Sequence, residues 1–252
     1  LTDMAMVSRL GAVALAATGM GSLLLWVIMS MGIGLRTAVQ TVTSRRLGQK
    51  LFPECGHALH NGVILSVILA IPATLLGTYY SVGIAELFLQ DPEVIPQCAN
   101  YLYVGFYGIF FVLVGFAFQG FYTGVEQTKI HMKVTIVSNI INVYLNAGLI
   151  YGTDGVRAFF EKIGLPWIAV LWQWYDFPAM AVKGAALATV IASGWMVTQY
   201  VIHIINEKII KYKPLNFQYS AKNLLQQIKL GFPIGAQEVI SMIGFAVFYK
   251  II

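Results

Sequence analysis

The chain has 252 residues, of which 58% are hydrophobic and only 11% are charged, and its mean hydropathy is +0.73. A soluble domain carries roughly a quarter charged residues, and so little charge would leave large apolar areas in contact with water. The composition therefore excludes an ordinary soluble domain and indicates a protein of the lipid bilayer. The two cysteines, Cys55 and Cys98, are too few for a disulfide framework or a zinc site.

Long stretches without Asp, Glu, Lys or Arg indicate membrane helices, because a helix needs about 20 apolar residues to cross a bilayer. These stretches do not alternate between apolar and polar residues, as the strands of a membrane β-barrel would. The pattern predicts an all-α, polytopic membrane helical bundle. The predicted spans are 12–43, 57–80, 97–124, 133–152, 184–206 and 228–252.

The basic residues of the connecting segments indicate how the spans are oriented. One set of segments, 44–56, 125–132 and 207–227 with the adjoining helix ends, holds ten Lys and Arg residues, and the opposite set holds four. Positively charged loops stay in the cytoplasm, so the first set is predicted to be cytoplasmic and the first span runs inward. This asymmetry explains the net charge of +5 without a nucleic-acid partner, and none is predicted.

Three connecting segments have a distinctive composition. Segment 81–96 is acidic and its Asp91-Pro92 step predicts a turn, whereas segment 153–183 is rich in Trp and predicts a short helix or hairpin at the membrane interface. Segment 207–227 is the most polar part of the chain. We therefore expect this segment to be a cytoplasmic linker, and it is the best candidate for a domain boundary.

Three amides in the fourth span are candidates for ion binding. Asn142 and Asn146 are four residues apart and therefore share one face of a helix, and Asn139 precedes them by one turn. Their carbonyl oxygens are hard ligands that suit a sodium ion. The alternative is hydrogen bonding between helices, which contributes about 0.6 kcal/mol on average in membranes.

Four further polar residues lie within the apolar spans. Glu238 lies in the last span, where an ionisable carboxylate is either a proton or cation site or the partner of a neighbouring helix. Gln237, beside it, points about 100° away around the helix. Arg36 and Gln40 share one face of the first span and, together with Asn139 and Gln237, are expected to line a cavity. The alternative for Arg36 is a side chain that extends to the cytoplasmic interface, and the alternative for Gln237 is helix packing.

The sequence lacks a nucleotide-binding P-loop, zinc-ligand spacing and a hydrolase nucleophile motif. Paired catalytic residues are also missing from the predicted spans, so an intramembrane enzyme is not expected. The pattern favours a process driven by an ion gradient, with no cofactor beyond the coupling ion.

Several segments, taken in order, resemble the multidrug and toxic compound extrusion family. The matching segments are Asp3-Met-Ala-Met-Val-Ser-Arg-Leu-Gly11 with Ala14-Leu-Ala-Ala-Thr-Gly19, Gln40 with Arg46-Leu-Gly48, Gln119-Gly-Phe-Tyr-Thr-Gly124, Asn139-Ile-Ile-Asn142 with Asn146, Gly184-Ala-Ala-Leu-Ala-Thr189, and Lys229-Leu-Gly-Phe-Pro233. No single segment is decisive, but the ordered set covers nearly the whole chain and is fairly specific.

The resemblance implies a two-lobe, inverted-repeat transporter with twelve helices, of which about six, helices two to seven, are present here. It implies an N-terminal lobe over 1–206, a cytoplasmic linker over 207–227 and the first helix of a second lobe over 228–252. Because the sequence starts at Leu1 and ends within an apolar run, we expect it to be part of a longer chain. The implied protein is a monomer of the plasma (inner) membrane.

The resemblance also implies a function, namely export of organic cations or drugs in antiport with Na⁺ or H⁺. Its cation site corresponds here to Asn142, Asn146 and Thr189. An aspartate of helix one is expected to lie outside this chain. Asn146 replaces the family's second aspartate, so the site loses a negative charge and this position cannot carry a proton. We expect Glu238 to substitute for a family glutamate of helix seven.

The sequence leaves open two alternatives to an antiporter of organic cations. A flippase for lipid-linked oligosaccharides or peptidoglycan precursors, from the same superfamily, should have a more cationic cleft. A seven-helix receptor is a more distant alternative, and the ordered motifs disfavour it.

Overall fold

The computed structural model describes residues 2–205 and 207–251, and within these ranges the chain is helical with no strand. Six of its helices are long and apolar enough to cross a membrane, which confirms the predicted polytopic helical bundle. The helices are α1 (Thr2–Val7), α2 (Ala12–Gly48), α3 (Phe52–Tyr79), α4 (Ser81–Phe88), α5 (Val94–Gly124), α6 (Thr128–Lys162), α7 (Ala181–Ile204), α8 (Glu207–Ile210) and α9 (Ala221–Ile251).

The helices extend beyond the predicted spans, because an apolar run ends at the first charged side chain while the backbone helix continues. α2 runs through Arg45 and Arg46 to Gly48, and α9 starts at Ala221, seven residues before the predicted span. Long basic side chains permit this extension since their charged ends reach the headgroup region. The acidic segment also contains α4, which the prediction of a turn alone missed, although the Asp91 carboxylate does accept a hydrogen bond from the Glu93 amide at 2.8 Å.

α5 lies at the centre of the bundle and packs against α2, α3 and α7. In its most apolar stretch 67% of the residues are buried, against 17–39% for the other five long helices. The remaining helices expose large apolar side chains such as Ile68 and Leu75 of α3. Exposed apolar surface of this extent suits lipid rather than water, so the bundle has a protein core and a lipid-facing exterior.

α6 is interrupted at Gly152, whose φ of +73° and ψ of 168° are not helical. A residue with a side chain rarely adopts this conformation, so glycine suits the position. The Phe177 carbonyl accepts a hydrogen bond from the Thr153 amide at 3.1 Å just beyond the break. The segment after Gly152 forms a helical tail, followed by a 3₁₀-helix at Pro166–Trp172.

The predicted linker is fastened to α3 by two polar side chains. His60 contacts the Pro214 carbonyl through Nε2 at 2.7 Å and accepts a hydrogen bond from the Gln218 amide at Nδ1, 3.2 Å away. Asn61 accepts a hydrogen bond from the Ser220 amide at 3.1 Å. Because Nδ1 is an acceptor, the ring is the tautomer with its proton on Nε2. The segment before α9 is therefore held against the bundle.

Candidate functional site

The short helix α1 places a carboxylate against the middle of the bundle. Val7 is fully buried in the core, and the Met6 carbonyl accepts a hydrogen bond from the Tyr151 hydroxyl of α6. The Arg9 guanidinium carbon lies 4.5 Å from the centroid of the Phe159 ring. These contacts fix α1 beside α6, with Asp3 facing α6 and α7.

Asp3, Asn142, Asn146 and Thr189 form a closed ring of hydrogen bonds. Asn146 Nδ2 donates to Asp3 Oδ1 at 2.5 Å and to Asn142 Oδ1 at 3.1 Å. Asn142 Nδ2 donates to Thr189 Oγ1 at 3.3 Å, and Thr189 Oγ1 donates to Asp3 Oδ2 at 3.0 Å. Three helices, α1, α6 and α7, thus meet at one polar cluster.

The Thr189 hydroxyl has two acceptors for its single proton. Asp3 Oδ2 lies 3.0 Å away and the Ala185 carbonyl oxygen lies 3.1 Å away. A hydroxyl group donates one hydrogen bond and accepts two. The proton can therefore turn to Ala185, which would free Thr189 Oγ1 and Asp3 Oδ2 together for another ligand.

Asn146 is fully buried, and its Oδ1 atom has no hydrogen-bond partner. A buried polar atom without a partner costs about 1–3 kcal/mol. The other polar side chains of the ring form hydrogen bonds with one another, so the Asn146 carbonyl oxygen is the atom of the ring that lacks a hydrogen-bond partner. Its placement suits a ligand that supplies positive charge.

The ring contains one carboxylate, two amide oxygens and a hydroxyl, all hard oxygen ligands of the kind that alkali and alkaline-earth cations prefer. Within the described ranges, no group of three His, Cys, Asp or Glu side chains is placed to hold a metal ion. The donor set therefore fits a weakly bound monovalent cation or a proton on Asp3 better than a transition metal.

A close approach of α6 and α7 brings Asn142 and Thr189 together. A Cβ at Gly184 would lie 2.1 Å from the Leu149 carbonyl oxygen, so only glycine fits there. The same carbonyl accepts a hydrogen bond from the Met180 amide at 2.8 Å. The two helices are therefore in direct contact at Leu149 and Gly184, roughly one turn from Asn146 and Thr189.

The structure brings Asn142, Asn146 and Thr189 together but places Glu238 elsewhere. Glu238 is half-buried on α9, which packs chiefly against α2 and, less extensively, α3. In the part of the chain that the structure describes, neither a hydrogen bond nor an ion pair links Glu238 to the Asp3 cluster. A role for Glu238 would thus be separate from the ring.

Asp3 is a candidate residue of the site that was not predicted from the sequence. The carboxylate of the site was expected to lie outside the chain, yet Asp3 supplies one, so the site keeps a negative charge despite the amide at Asn146. Hydropathy assigns Asp3 to a connecting stretch, because the first apolar run begins only after it. The sequence feature that could have identified Asp3 is its position in the stretch from Asp3 to Gly11, about two helical turns before Gly11.

A cavity of about 670 Å³ lies between α1, α6 and the 3₁₀-helix, and none of the four ring residues is among its described lining residues. Its walls are apolar and aromatic, and Arg9 is the one charged residue among the described lining residues. The aromatic walls comprise Tyr144, Tyr151, Phe159, Phe160 and Trp172. Asn139, predicted to line a cavity, lines this one. Such walls are typical of a pocket that binds a small molecule.

The other residues predicted to line a cavity do not line this one. Arg36 and Gln40 lie on α2 where its backbone meets α5, and a Cβ at Gly120 would lie 2.4 Å from the Arg36 carbonyl oxygen. Gln237 is exposed on α9. That these three residues line a cavity therefore stays a prediction, and the cavity would be a different one from that described above.

Comparisons with known proteins identify the fold and the family. The family model described as MatE matches residues 1–147, more than half of the chain. Among curated proteins, the chain is 24% identical over 247 residues to "Probable multidrug resistance protein NorM" of Synechocystis sp., covering 94% of this chain and 48% of the relative. It is 27% identical over 234 residues to "Probable multidrug resistance protein YoeA" of Bacillus subtilis, covering 91% and 44%.

Solved structures share the fold. One, titled "Inward-facing conformation of a multidrug resistance MATE family transporter of the MOP superfamily", superposes with a TM-score of 0.80 at 18% identity, covering 99% of this chain and 51% of that one. The eukaryotic MATE transporter AtDTX14 gives a TM-score of 0.79 at 18% identity, covering 99% and 50%.

The chain thus spans about half the length of the curated relatives it matches. The family match and the membrane helices agree with the predicted multi-pass membrane location. The chain belongs to the MatE family of multidrug efflux transporters.

Proposed function

We propose that this chain forms about half of a cation-coupled antiporter that exports organic cations across the plasma membrane. The ring of Asp3, Asn142, Asn146 and Thr189, with the unpartnered Asn146 oxygen, is the observation that carries this proposal. A partly buried polar cluster of this kind, with Asn146 fully buried, is costly in a membrane and commonly marks an ion pathway.

The coupling ion would replace a hydrogen-bond donor. In the ring, the Asn146 NH₂ group lies between Asp3 Oδ1 and Asn142 Oδ1 and satisfies both. Rotating the amide by half a turn would exchange this group for the unpartnered Oδ1. Three acceptor oxygens would then face one another, an arrangement that is stable only with a cation among them. We propose Na⁺ in this position, and H⁺ on Asp3 as the alternative.

Coupling to a substrate would act through the two helices, α1 and α6, that carry residues of both the ring and the cavity. α1 carries Asp3 of the ring and also Ala5 and Met6 of the cavity, and α6 contributes to both. A cation that draws Asp3 toward α6 and α7 would therefore change the cavity. Antiport requires that the ion favours a state with weak substrate binding, and a helix that contributes to both the ring and the cavity would provide such a link.

The cavity also indicates the class of substrate. Its aromatic walls suit planar organic cations, which are attracted to ring faces when desolvated. A flippase for pyrophosphate-linked lipids would instead need several cationic side chains, and Arg9 alone provides little of that charge. We therefore place drug export before lipid flipping.

Asp3→Asn in the full-length protein tests the proposal. The protein would be reconstituted in vesicles loaded with a fluorescent organic cation, and efflux would follow an imposed Na⁺ or pH gradient. Hydrogen bonds to charged groups contribute about 1.5–3 kcal/mol, so Na⁺ affinity should fall about 10- to 100-fold. Gradient-driven efflux should fall in parallel.

Asp154→Asn is the matched control, because Asp154 is exposed and the charge change is the same. It should transport like the unchanged protein. Full coupling in the Asp3→Asn variant would remove the ring from the mechanism. A lack of gradient-dependent efflux for several organic cations would favour the flippase instead.

A further inference from the structure

A second cavity lies between the C-terminal end of α2 and the N-terminal end of α9. Its volume is about 560 Å³. We call it the basic cleft, and its lining residues are Arg45, Arg46, Lys222, Leu225, Gln226, Lys229 and Leu230. It shares none of its lining residues with the aromatic cavity.

The basic cleft gathers four positive charges without a carboxylate in its lining. The ion pairs formed by described residues, His57–Glu54 and Arg157–Glu161, involve none of these four. The Arg46 guanidinium donates only a long hydrogen bond, 3.4 Å, to the neutral Gln49 side chain. Four like charges around one concave surface repel one another, so binding of an anion in the cleft would be favourable.

A close crossing of α2 and α9 fixes the position of the cleft. A Cβ at Gly34 would lie 2.2 Å from the Gly231 carbonyl oxygen, so the two backbones touch at this point. Arg45 follows Gly34 by eleven residues and Lys222 precedes Gly231 by nine. At about 1.5 Å per residue these distances are similar. Since the helices are antiparallel, their basic ends reach the same level beyond the crossing.

The end of α9 adds to the positive potential. The N-terminus of a helix carries a partial positive charge that anions stabilise. The first turn of α9 contains Lys222 and no acidic residue, so nothing in that turn offsets this charge. The charge asymmetry of the loops predicts that this end of the bundle faces the cytoplasm, where the leaflet is rich in anionic lipid.

The lining also has an apolar part. Leu225 is 52% exposed and Leu230 is 37% exposed, and both lie on the same helix as Lys222 and Lys229. A free phosphate ion would gain nothing from these side chains. A phospholipid has a phosphate for the basic side chains and acyl chains for the leucines, so it fits both parts of the lining.

We propose that the basic cleft binds the phosphate headgroup of an anionic phospholipid of the cytoplasmic leaflet, and that the bound lipid joins α2 to α9. The headgroup would neutralise the repulsion between the two helix ends, and the acyl chains would lie along Leu225 and Leu230. The lipid is a bound ligand that stabilises this contact, not a transported substrate. This inference does not depend on the Asp3 ring, because the two sites share no residue.

Lipid binding to the purified full-length protein in detergent tests the proposal. Phosphatidylglycerol and phosphatidylcholine would be titrated separately, and bound lipid would be counted by native mass spectrometry. Unchanged protein should bind phosphatidylglycerol about tenfold more tightly than phosphatidylcholine, since each nearby basic residue favours anionic lipid. The variant Arg45→Gln/Lys229→Gln should lose this preference.

Lys129→Gln/Lys133→Gln is the matched control, because both lysines are exposed on α6 and their removal changes the charge equally. It should keep the preference. If Arg45→Gln/Lys229→Gln does not fold, Arg46→Gln/Lys222→Gln removes the other two charges of the cleft and should give the same loss.

Two results would overturn the proposal. One is an equal loss of preference in the cleft variant and in the control, which would indicate only a general effect of net charge. The other is displacement of phosphatidylglycerol by glycerol phosphate at the same concentration, which would identify a soluble phosphate compound as the ligand.

Discussion

The side-chain amide of Asn146 donates a hydrogen bond to the carboxylate of Asp3 across 2.5 Å, although 143 positions separate the two residues in the chain. This bond joins α1 to α6 inside the bundle. It places the one acidic group of the ring directly beside a buried amide whose oxygen has no partner. The amide group thus occupies the position in which we propose the coupling ion.

Asn146→Asp should make the stability of the protein depend strongly on Na⁺. The change places a second carboxylate against Asp3, and two buried negative charges at this distance need a proton or a cation between them. We expect a lower melting temperature without Na⁺ and a larger rise when Na⁺ is added. A tenfold gain in Na⁺ affinity would add about 1.4 kcal/mol of stabilisation at saturating concentrations.

Asn139→Asp is the control for this experiment, because Asn139 is exposed on the same helix and takes no part in the hydrogen bonds of the ring. Its melting temperature should respond to Na⁺ as that of the unchanged protein does. A response in Asn146→Asp no larger than in Asn139→Asp would count against a cation in the ring.

Phe159→Ala should weaken substrate binding without changing ion binding. The Phe159 ring forms part of the aromatic cavity and already contacts the Arg9 guanidinium. A cation over an aromatic face gains about 0.5–2 kcal/mol, so the KM for an aromatic cation should rise about 2- to 30-fold. Phe245→Ala, on the exposed surface of α9, is the control. Equal KM values for both variants would indicate that the substrate binds outside the aromatic cavity.

His60→Ala should release the segment that precedes α9. The ring holds Pro214 and Gln218, and loss of its two hydrogen bonds should destabilise this contact by about 1–3 kcal/mol. Trypsin should then cut faster after Lys211, as followed by gel electrophoresis of the purified protein. His57→Ala, one turn earlier on α3, should leave the cutting rate unchanged. Unaltered cutting in His60→Ala would show that other contacts hold the segment.

Gly34→Ala should separate α2 from α9. The added methyl group would lie 2.2 Å from the Gly231 carbonyl oxygen, and overpacking of this kind costs about 1–3 kcal/mol. Gly244→Ala on α9 meets no atom within 4 Å and should be neutral or slightly stabilising. Thermal unfolding in detergent measures both. Similar melting temperatures for the two variants would contradict a tight crossing.

The sequence alone predicted the membrane helices well because hydropathy is a local property of each run. It predicted the helix ends poorly, since Arg45 and Lys222 interrupt the apolar runs but not the backbone helices. The spacing of Asn142 and Asn146 correctly placed their side chains next to each other. Joining them to Thr189 required the resemblance, because residues on different helices are brought together only by tertiary packing.

Asp3 and the fastening of the linker could not be predicted in this way. Asp3 precedes the first apolar run, so hydropathy assigns it to no helix, and only the packing of α1 on α6 reveals its position. His60 and Asn61 lie within an otherwise apolar span, and their partners are mostly backbone groups more than 150 positions away. Backbone groups are present at every residue and leave no pattern in a sequence.

The fastening by His60 and Asn61 also limits how α9 can travel. The segment before α9 is tied to α3 at Pro214, Gln218 and Ser220, and the side chain of Gln227 donates to the Ala58 carbonyl at 2.7 Å. A tilt of α9 away from α2 would have to carry α3 along or break these bonds one after another. These bonds therefore restrict movement of α9 at its N-terminal end.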